Sequence, residues 1–362
     1  MSNISIDETG EITWELGISN WELGIGIYLY NFMEEKLPVK KPHEKAQLKK
    51  LESKEDAYVF EQFHNADFKI ENFQDLYTRV KEIHSKRYSH FEDAADMANI
   101  ASRLWEKIKS GKEIKLTKNK FKLACLFHDI GKSGPANANP RQRYLIEKLF
   151  DPTYFNPRDE KFKDQRPRNM SINDALDMEN MLEKEEMKEY LSTLTVHIYD
   201  LKTKKNKEEK LDIKKHQMID FWREHDYWTR DILMPYIDDQ IDEAVAHVAG
   251  THNALDGRDP WHIDGDLSDE SINLEIIDKY YLLKKEEVID KSLVLTLFDQ
   301  YQAWIDRSGF THDKAIEEIE KYIEYSKNEK IINHENRIYN KFIKYLGILR
   351  DHKELADIVK KK

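Results

Sequence analysis

Apolar residues recur every three or four positions over long stretches of this chain, and strict alternation is scarce. Phe91, Ala94, Ala95, Ala98, Ala101, Leu104 and Trp105 fall on one helical face, whose small residues let a neighbouring helix approach closely. The pattern predicts helix from about residue 72 onward. A second helix is predicted over 119–131, with Leu123, Leu126, Phe127 and Ile130 apolar and Gly131 placed to end it. Residues 216–255 read as amphipathic helix. Residues 257–271, with Gly257, Pro260, Gly265 and several aspartates, read as loop. Helices fill 273–362, with Ile319, Tyr322 and Ile323 on one face. The expected fold class is all-α.

Two stretches depart from that rhythm. Residues 133–220 are rich in charge and read as an insertion, helical over about 173–191 and otherwise mobile loop. The lysine-dense run from Lys202 to Lys215 reads as a solvated face. Near the N-terminus, Trp14-Glu15-Leu16-Gly17-Ile18 is echoed by Trp21-Glu22-Leu23-Gly24-Ile25. Two copies are too few for a solenoid, so the segment reads as a short strand or turn with two packed tryptophans. The expected organisation is an N-terminal extension over 1–75, a catalytic domain over 76–330 carrying the insertion 133–220, and helices over 331–362.

Composition narrows the function classes. Of 362 residues, 40 % are hydrophobic and 35 % charged, enough apolar material for a sizeable core. A formal net charge of -11 argues against general nucleic-acid binding, which needs a basic footprint. The single cysteine, Cys125, excludes an intrachain disulfide and reads as a small buried apolar residue. No run approaches the roughly 20 apolar residues of a membrane span, and the first residues lack a signal-peptide pattern. A cytoplasmic protein that does not enter the membrane is expected.

The chemistry concentrates at Phe127-His128-Asp129-Ile130-Gly131-Lys132. An imidazole beside a carboxylate at a helix end can hold metal, the ring on one ion and the carboxylate across two. Such nitrogen and oxygen donors suit Mn, Fe, Co, Ni or Zn. A lone His-Asp pair is weak evidence, but His90, His225, His252 and Asp299 each sit among helical apolar residues and can face one interior. Four histidines and two aspartates make an inventory for two divalent ions.

These residues resemble the HD superfamily, in particular its HD-GYP branch of metal-dependent phosphodiesterases acting on cyclic dinucleotides. His90 matches the first family histidine. His128, Asp129, Gly131 and Lys132 match the HDxGK core. His225 with Ile232 and Leu233 is similar to the third motif, and His252, Asp256 and Gly257 to the family's His-His-Glu-x-x-Asp-Gly segment. Asp299, Tyr301, Ala303, Asp306 and Arg307 are similar to the final one. The likeness covers roughly 85–132 and 221–320. Thr251 stands where one paired histidine is expected, Arg258-Asp259-Pro260-Trp261 replaces the Gly-Tyr-Pro triplet, and Lys86 occupies an acidic position linked to a third metal.

The resemblance implies an HD-type helical bundle with metal ligands His90, His128, Asp129, His225, His252 and Asp299. Asp129 and Lys132 would be catalytic, and Lys132, Arg258 and Arg307 would contact substrate. It implies hydrolysis of a nucleotide phosphodiester or phosphomonoester, possibly a cyclic dinucleotide. Two alternatives stay open. HD-fold di-iron oxygenases such as myo-inositol oxygenase use four histidines and two aspartates, and a degenerate member would bind a nucleotide without turnover. Because the insertion leaves after Lys132 and returns before His225, it is expected to roof the site.

Overall fold

The computed structural model describes residues 3–6, 12–15, 54–85, 89–109, 116–150, 169–179, 183–200, 205–237, 240–253, 285–328 and 337–359. The chain divides into two compact units, Met1–Gln47 and Leu48–Lys362. The first contains an antiparallel hairpin of β1 (Asn3–Ile6) and β2 (Ile12–Glu15), in register from Asn3 with Glu15 to Ile6 with Ile12. Trp14 lies in β2, and Trp21 is outside the described residues.

The second unit is helical, as the apolar periodicity predicts. Its helices are α1 (Lys54–His64), α2 (Gln74–His84), α3 (His90–Ile108), α4 (Lys118–Phe127), α5 (Pro140–Phe150), α6 (Ile172–Glu179) and α7 (Lys184–Leu191). After hairpin β3 (Thr195–Asp200) and β4 (Lys205–Lys210) come α8 (Met218–Trp222), α9 (His225–Leu233) and α10 (Glu243–Ala249). The chain closes with α11 (Lys285–Asp306), α12 (His312–Asn328), α13 (Arg337–Arg350) and α14 (Ala356–Val359).

Capping explains why α3 and α4 begin where they do. The Ser89 hydroxyl accepts from the Glu92 backbone N–H, and Glu92 and Asp93 complement the helix dipole in the first turn. The Thr117 hydroxyl accepts likewise from Lys120. The predicted face of α3 is buried from Phe91 through Trp105 and packs along α4. Helix α4 stops at Phe127, four residues before Gly131, and a tight turn over Ile130–Ser133 follows. Gly131 therefore does not end the helix; its role is a close approach described below.

Two apolar cores result. The main one joins α1–α4 with α10, α11 and the last three helices. Val59, Phe63, Phe68 and Ile70, which the sequence groups with the N-terminal extension, are buried in it, as are Phe342, Leu346 and Val359 near the C-terminus. The second is built by the insertion, where Leu145, Ile146, Leu149, Leu176, Met187, Leu191 and Val196 close on Phe221 and Trp228 just after it. The helix expected over about 173–191 is present as α6 and α7, and α5 and the β3–β4 hairpin add structure where loop was expected. The lysine-rich run supplies β4, paired with β3 from Thr195 with Lys210 to Asp200 with Lys205. Helix α9 separates the two cores, giving Trp228 to one and Ile232 and Leu233 to the other. None of the described helices is long and apolar enough to cross a membrane.

Candidate metal centre

His90 opens α3, His128 follows the end of α4, His225 opens α9, His252 follows α10, and Asp299 lies within α11. Helix ends free the four histidine side chains from packing within their own helix, and Asp299 joins them from the body of α11, so that five elements aim at one interior. The fixed point is Asp129, whose side chain is 1 % exposed. Its Oδ1 lies 3.3 Å from His225 Nε2 and 3.7 Å from His252 Nε2. Its Oδ2 lies 3.5 Å from both His128 Nε2 and His90 Nδ1. Asp299 Oδ1 stands 3.7 Å from His128 Nε2. The structure thus gathers all six residues that the sequence assigns as ligands.

Three rings are held in one tautomer by the same device. His128 Nδ1 donates to the Cys125 carbonyl at 2.8 Å, His252 Nδ1 to Ala249 at 3.0 Å, and His225 Nδ1 to Trp222. Each bond reaches three residues back along the chain and turns the Nε2 lone pair inward. His225 Nε2 and His252 Nε2 then face each other at 2.7 Å. Two lone pairs at that distance repel unless a proton or a metal ion bound to both rings offsets them. His90 Nε2, His128 Nε2 and Asp129 Oδ1 are buried without a hydrogen-bond partner. Buried polar atoms in this state cost free energy, and for the two acceptors, His128 Nε2 and Asp129 Oδ1, the missing partner is something positive. The donor set therefore fits divalent metal ions.

The electrostatics favour ionised carboxylates and divide the histidines. Burial, helped by the Lys132 ammonium, holds His90 well below the usual imidazole range, and burial lowers His252 as well. In both, the shift favours the neutral ring. Burial would raise the Asp129 carboxyl, but His128, Lys132 and His225 outweigh it and hold Asp129 well below the carboxylate range. Burial pushes Asp299 up too, and the adjoining His128 ring overcomes it, leaving Asp299 lowered. For His128 the desolvation that lowers it is outweighed by Asp129 and Asp299, so it is raised.

The turn after Asp129 is clamped from two sides. The Gly131 N–H donates to Thr229 Oγ1 at 3.0 Å, and the Thr229 hydroxyl donates to the His128 carbonyl at 3.0 Å. A Cβ at Gly131 would lie 2.0 Å from the His225 carbonyl oxygen, so glycine is needed for α9 to approach. On the other side the buried Arg79 guanidinium donates to Ser133 Oγ at 3.1 Å and to the carbonyls of Gly134, Pro135 and Ala136 at 3.2, 3.3 and 2.8 Å. Gly134 has φ 95°, a conformation that favours glycine.

The assigned substrate contacts divide. Lys132 Nζ sits 2.5 Å from Asp129 Oδ2 and 3.2 Å from His90 Nδ1, so it is engaged with the ligands themselves. Arg307 Nη2 donates to Asp93 Oδ2 at 2.9 Å, while its Nε has no hydrogen-bond partner among the described residues. Asp93 and Asp299 nearby outweigh the effect of burial and keep Arg307 firmly charged. Arg258 lies outside the described residues, as do Lys86, Asp256, Gly257 and Pro260. The Thr251 hydroxyl, buried, donates to the His247 carbonyl at 2.5 Å.

Two residues that sequence reasoning passed over belong here. Asp226 is fully buried and lies 3.2 Å from His252 Nε2 and 3.4 Å from His225 Nε2. A signal for it exists, since His225-Asp226 repeats the dipeptide His128-Asp129. Glu224, also buried, accepts from the His197 backbone N–H at 2.7 Å and meets His197 Nδ1 at 2.8 Å, and the His197 ring stacks on Tyr227. Strand β3 is thereby tied to the helix that carries His225. Phe150 of the insertion packs edge-on to the His225 ring, with centroids 5.8 Å apart. No family model, curated protein or solved structure matches this chain.

Proposed function

We propose that this chain is a metal-dependent phosphohydrolase of the HD type, acting on a phosphodiester or phosphomonoester of a nucleotide, a cyclic dinucleotide included. The observation that carries the reading is the convergence of four histidines and two aspartates on one buried point, with three Nε2 lone pairs aimed by backbone carbonyls. Two divalent ions held there would supply a hydroxide near neutral pH and neutralise charge on the phosphoryl oxygens. Lys132 holds the Asp129 carboxylate and places positive charge beside His90, where an anionic substrate gains from it. Arg307, anchored by Asp93 and with its Nε unclaimed, offers a second cation to a phosphate.

One observation favours a second reading. Thr251 turns its hydroxyl back to His247, so the cluster has no fifth imidazole and keeps the four histidines used by HD-fold di-iron oxygenases. Turnover separates the two. The protein, reconstituted separately with Mn, Fe, Co, Ni and Zn, should hydrolyse a generic phosphodiester or a member of a nucleotide and cyclic-dinucleotide panel, and His128→Ala should abolish that activity. A redox-active mixed-valent iron pair without hydrolysis would select the oxygenase. Nucleotide binding with neither activity would leave a sensor.

A further inference from the structure

The pair His225-Asp226 repeats the residue types of His128-Asp129, and its carboxylate enters the same interior. Asp226 Oδ1, His225 Nε2 and His252 Nε2 form a triangle with edges of 2.7, 3.2 and 3.4 Å. Donors bound to one ion at about 2.0–2.2 Å lie roughly 3 Å or slightly more from each other, so the triangle has the size of one face of a coordination shell. The carboxylate is aimed from behind, because Asn253 Nδ2 donates to its two oxygens at 2.7 and 2.8 Å. Among the described residues no lysine or arginine pairs with it; its nearest polar neighbours on the open side are the two ring nitrogens. Thr251 adds no donor to this face, its hydroxyl being spent on His247.

We propose that Asp226 is a ligand of the metal ion held by His225 and His252, completing a face of two histidines and one carboxylate, with Asn253 as the residue that orients it. The inference rests on the metal-centre reading above and adds a seventh protein donor to it. Asp129, whose Oδ1 is 3.3 Å from His225 Nε2, then connects this face to the ion near His128. Two imidazoles and a carboxylate suit a borderline divalent ion such as Fe(II), Mn(II), Co(II) or Zn(II).

The test uses the full chain, freed of metal by chelation and titrated with Co(II) alone. The natural protein should bind two ions. Asp226→Asn, which keeps the shape of the side chain, should weaken one binding event by about tenfold or more and leave the other unchanged. Asp226→Cys should gain a thiolate-to-cobalt charge-transfer absorption that the natural protein, with Cys125 alone, lacks. Asn253→Ala, which leaves the ligands in place, should weaken the same event by less, and serves if the Asp226 variants do not fold. Unchanged affinities in Asp226→Asn, cobalt bound by Asp226→Cys without the new absorption, or unchanged affinities in Asn253→Ala would each overturn the assignment while leaving the metal centre standing. A natural protein that binds no Co(II) would remove both.

Discussion

A methyl group at Gly131 would sit 2.0 Å from the His225 carbonyl oxygen and 2.7 Å from the Thr229 nitrogen, both backbone atoms that cannot rotate away. Gly131→Ala must therefore push α9 off the turn that carries Asp129. The expected cost is at the upper end of the roughly 1–3 kcal/mol of overpacking, read by chemical denaturation. Because His225 moves with α9, metal affinity should fall as well. A variant as stable as the natural protein would mean that α9 does not approach the turn so closely. At this scale the sequence was informative where a motif marked the residue. His90, His128, Asp129, His225, His252 and Asp299 stood out through the His-Asp motif, their apolar helical flanks and their likeness to the HD motifs. Asp226 did not, since an aspartate beside a histidine at a helix start also reads as an ordinary first-turn acid. Arg79 was hidden for a different reason: its partners are carbonyls more than fifty residues away in sequence, and nothing local marks them.

Between elements, a buried ionic cluster ties α11 to α13 and to the end of α3. Lys291, with no exposed surface, donates to the Ile108 carbonyl at 2.6 Å and to Asp290 Oδ2 at 2.9 Å. Tyr345 donates to the same carboxylate at 2.5 Å, and Lys341 lies 3.1 Å from its other oxygen. Burial would raise the Asp290 carboxyl, but Lys291 and Tyr345 outweigh it and the carboxyl is lowered. A carboxyl with a depressed folded pKa stabilises the fold at every pH above its unfolded value, about 4, and that contribution is lost as pH falls through the folded value. Acid titration of stability should accordingly show a loss below about pH 4 that Asp290→Asn makes shallower. Near neutral pH the same variant should cost about 3 kcal/mol, since it removes a buried partner of Lys291. An unaltered acid limb would place the sensitivity elsewhere. Elements were legible where the 3.6-residue period ran long, as in α3, and where Ser89 and Thr117 announced a start. The strand β4 was not legible, because Lys205-Asn206-Lys207-Glu208-Glu209-Lys210 has no apolar alternation. Only its pairing with β3, where Val196 is buried, makes it a strand.

Across the whole second unit, the division of labour follows from two cores sharing one helix. The main core fixes His90, His128, His252 and Asp299. The insertion, folded on its own apolar cluster, presses Phe150 and the His197–Glu224 bond against the helix bearing His225 and Asp226. All-helical architecture could be read from the chain because its period dominates. The insertion's second core could not, since its apolar residues are spread over some eighty positions between charged runs. Everything functional in this account depends on the buried convergence being a metal centre. The most direct test is metal analysis of the full chain purified without chelator, alongside Asp129→Ala. Bound divalent transition metal is expected in the natural protein, close to two ions per chain after reconstitution, with strong depletion in a variant whose helical circular dichroism is retained. A folded natural protein that takes up no Mn, Fe, Co, Ni or Zn, or an Asp129→Ala variant with undiminished metal content, would contradict it.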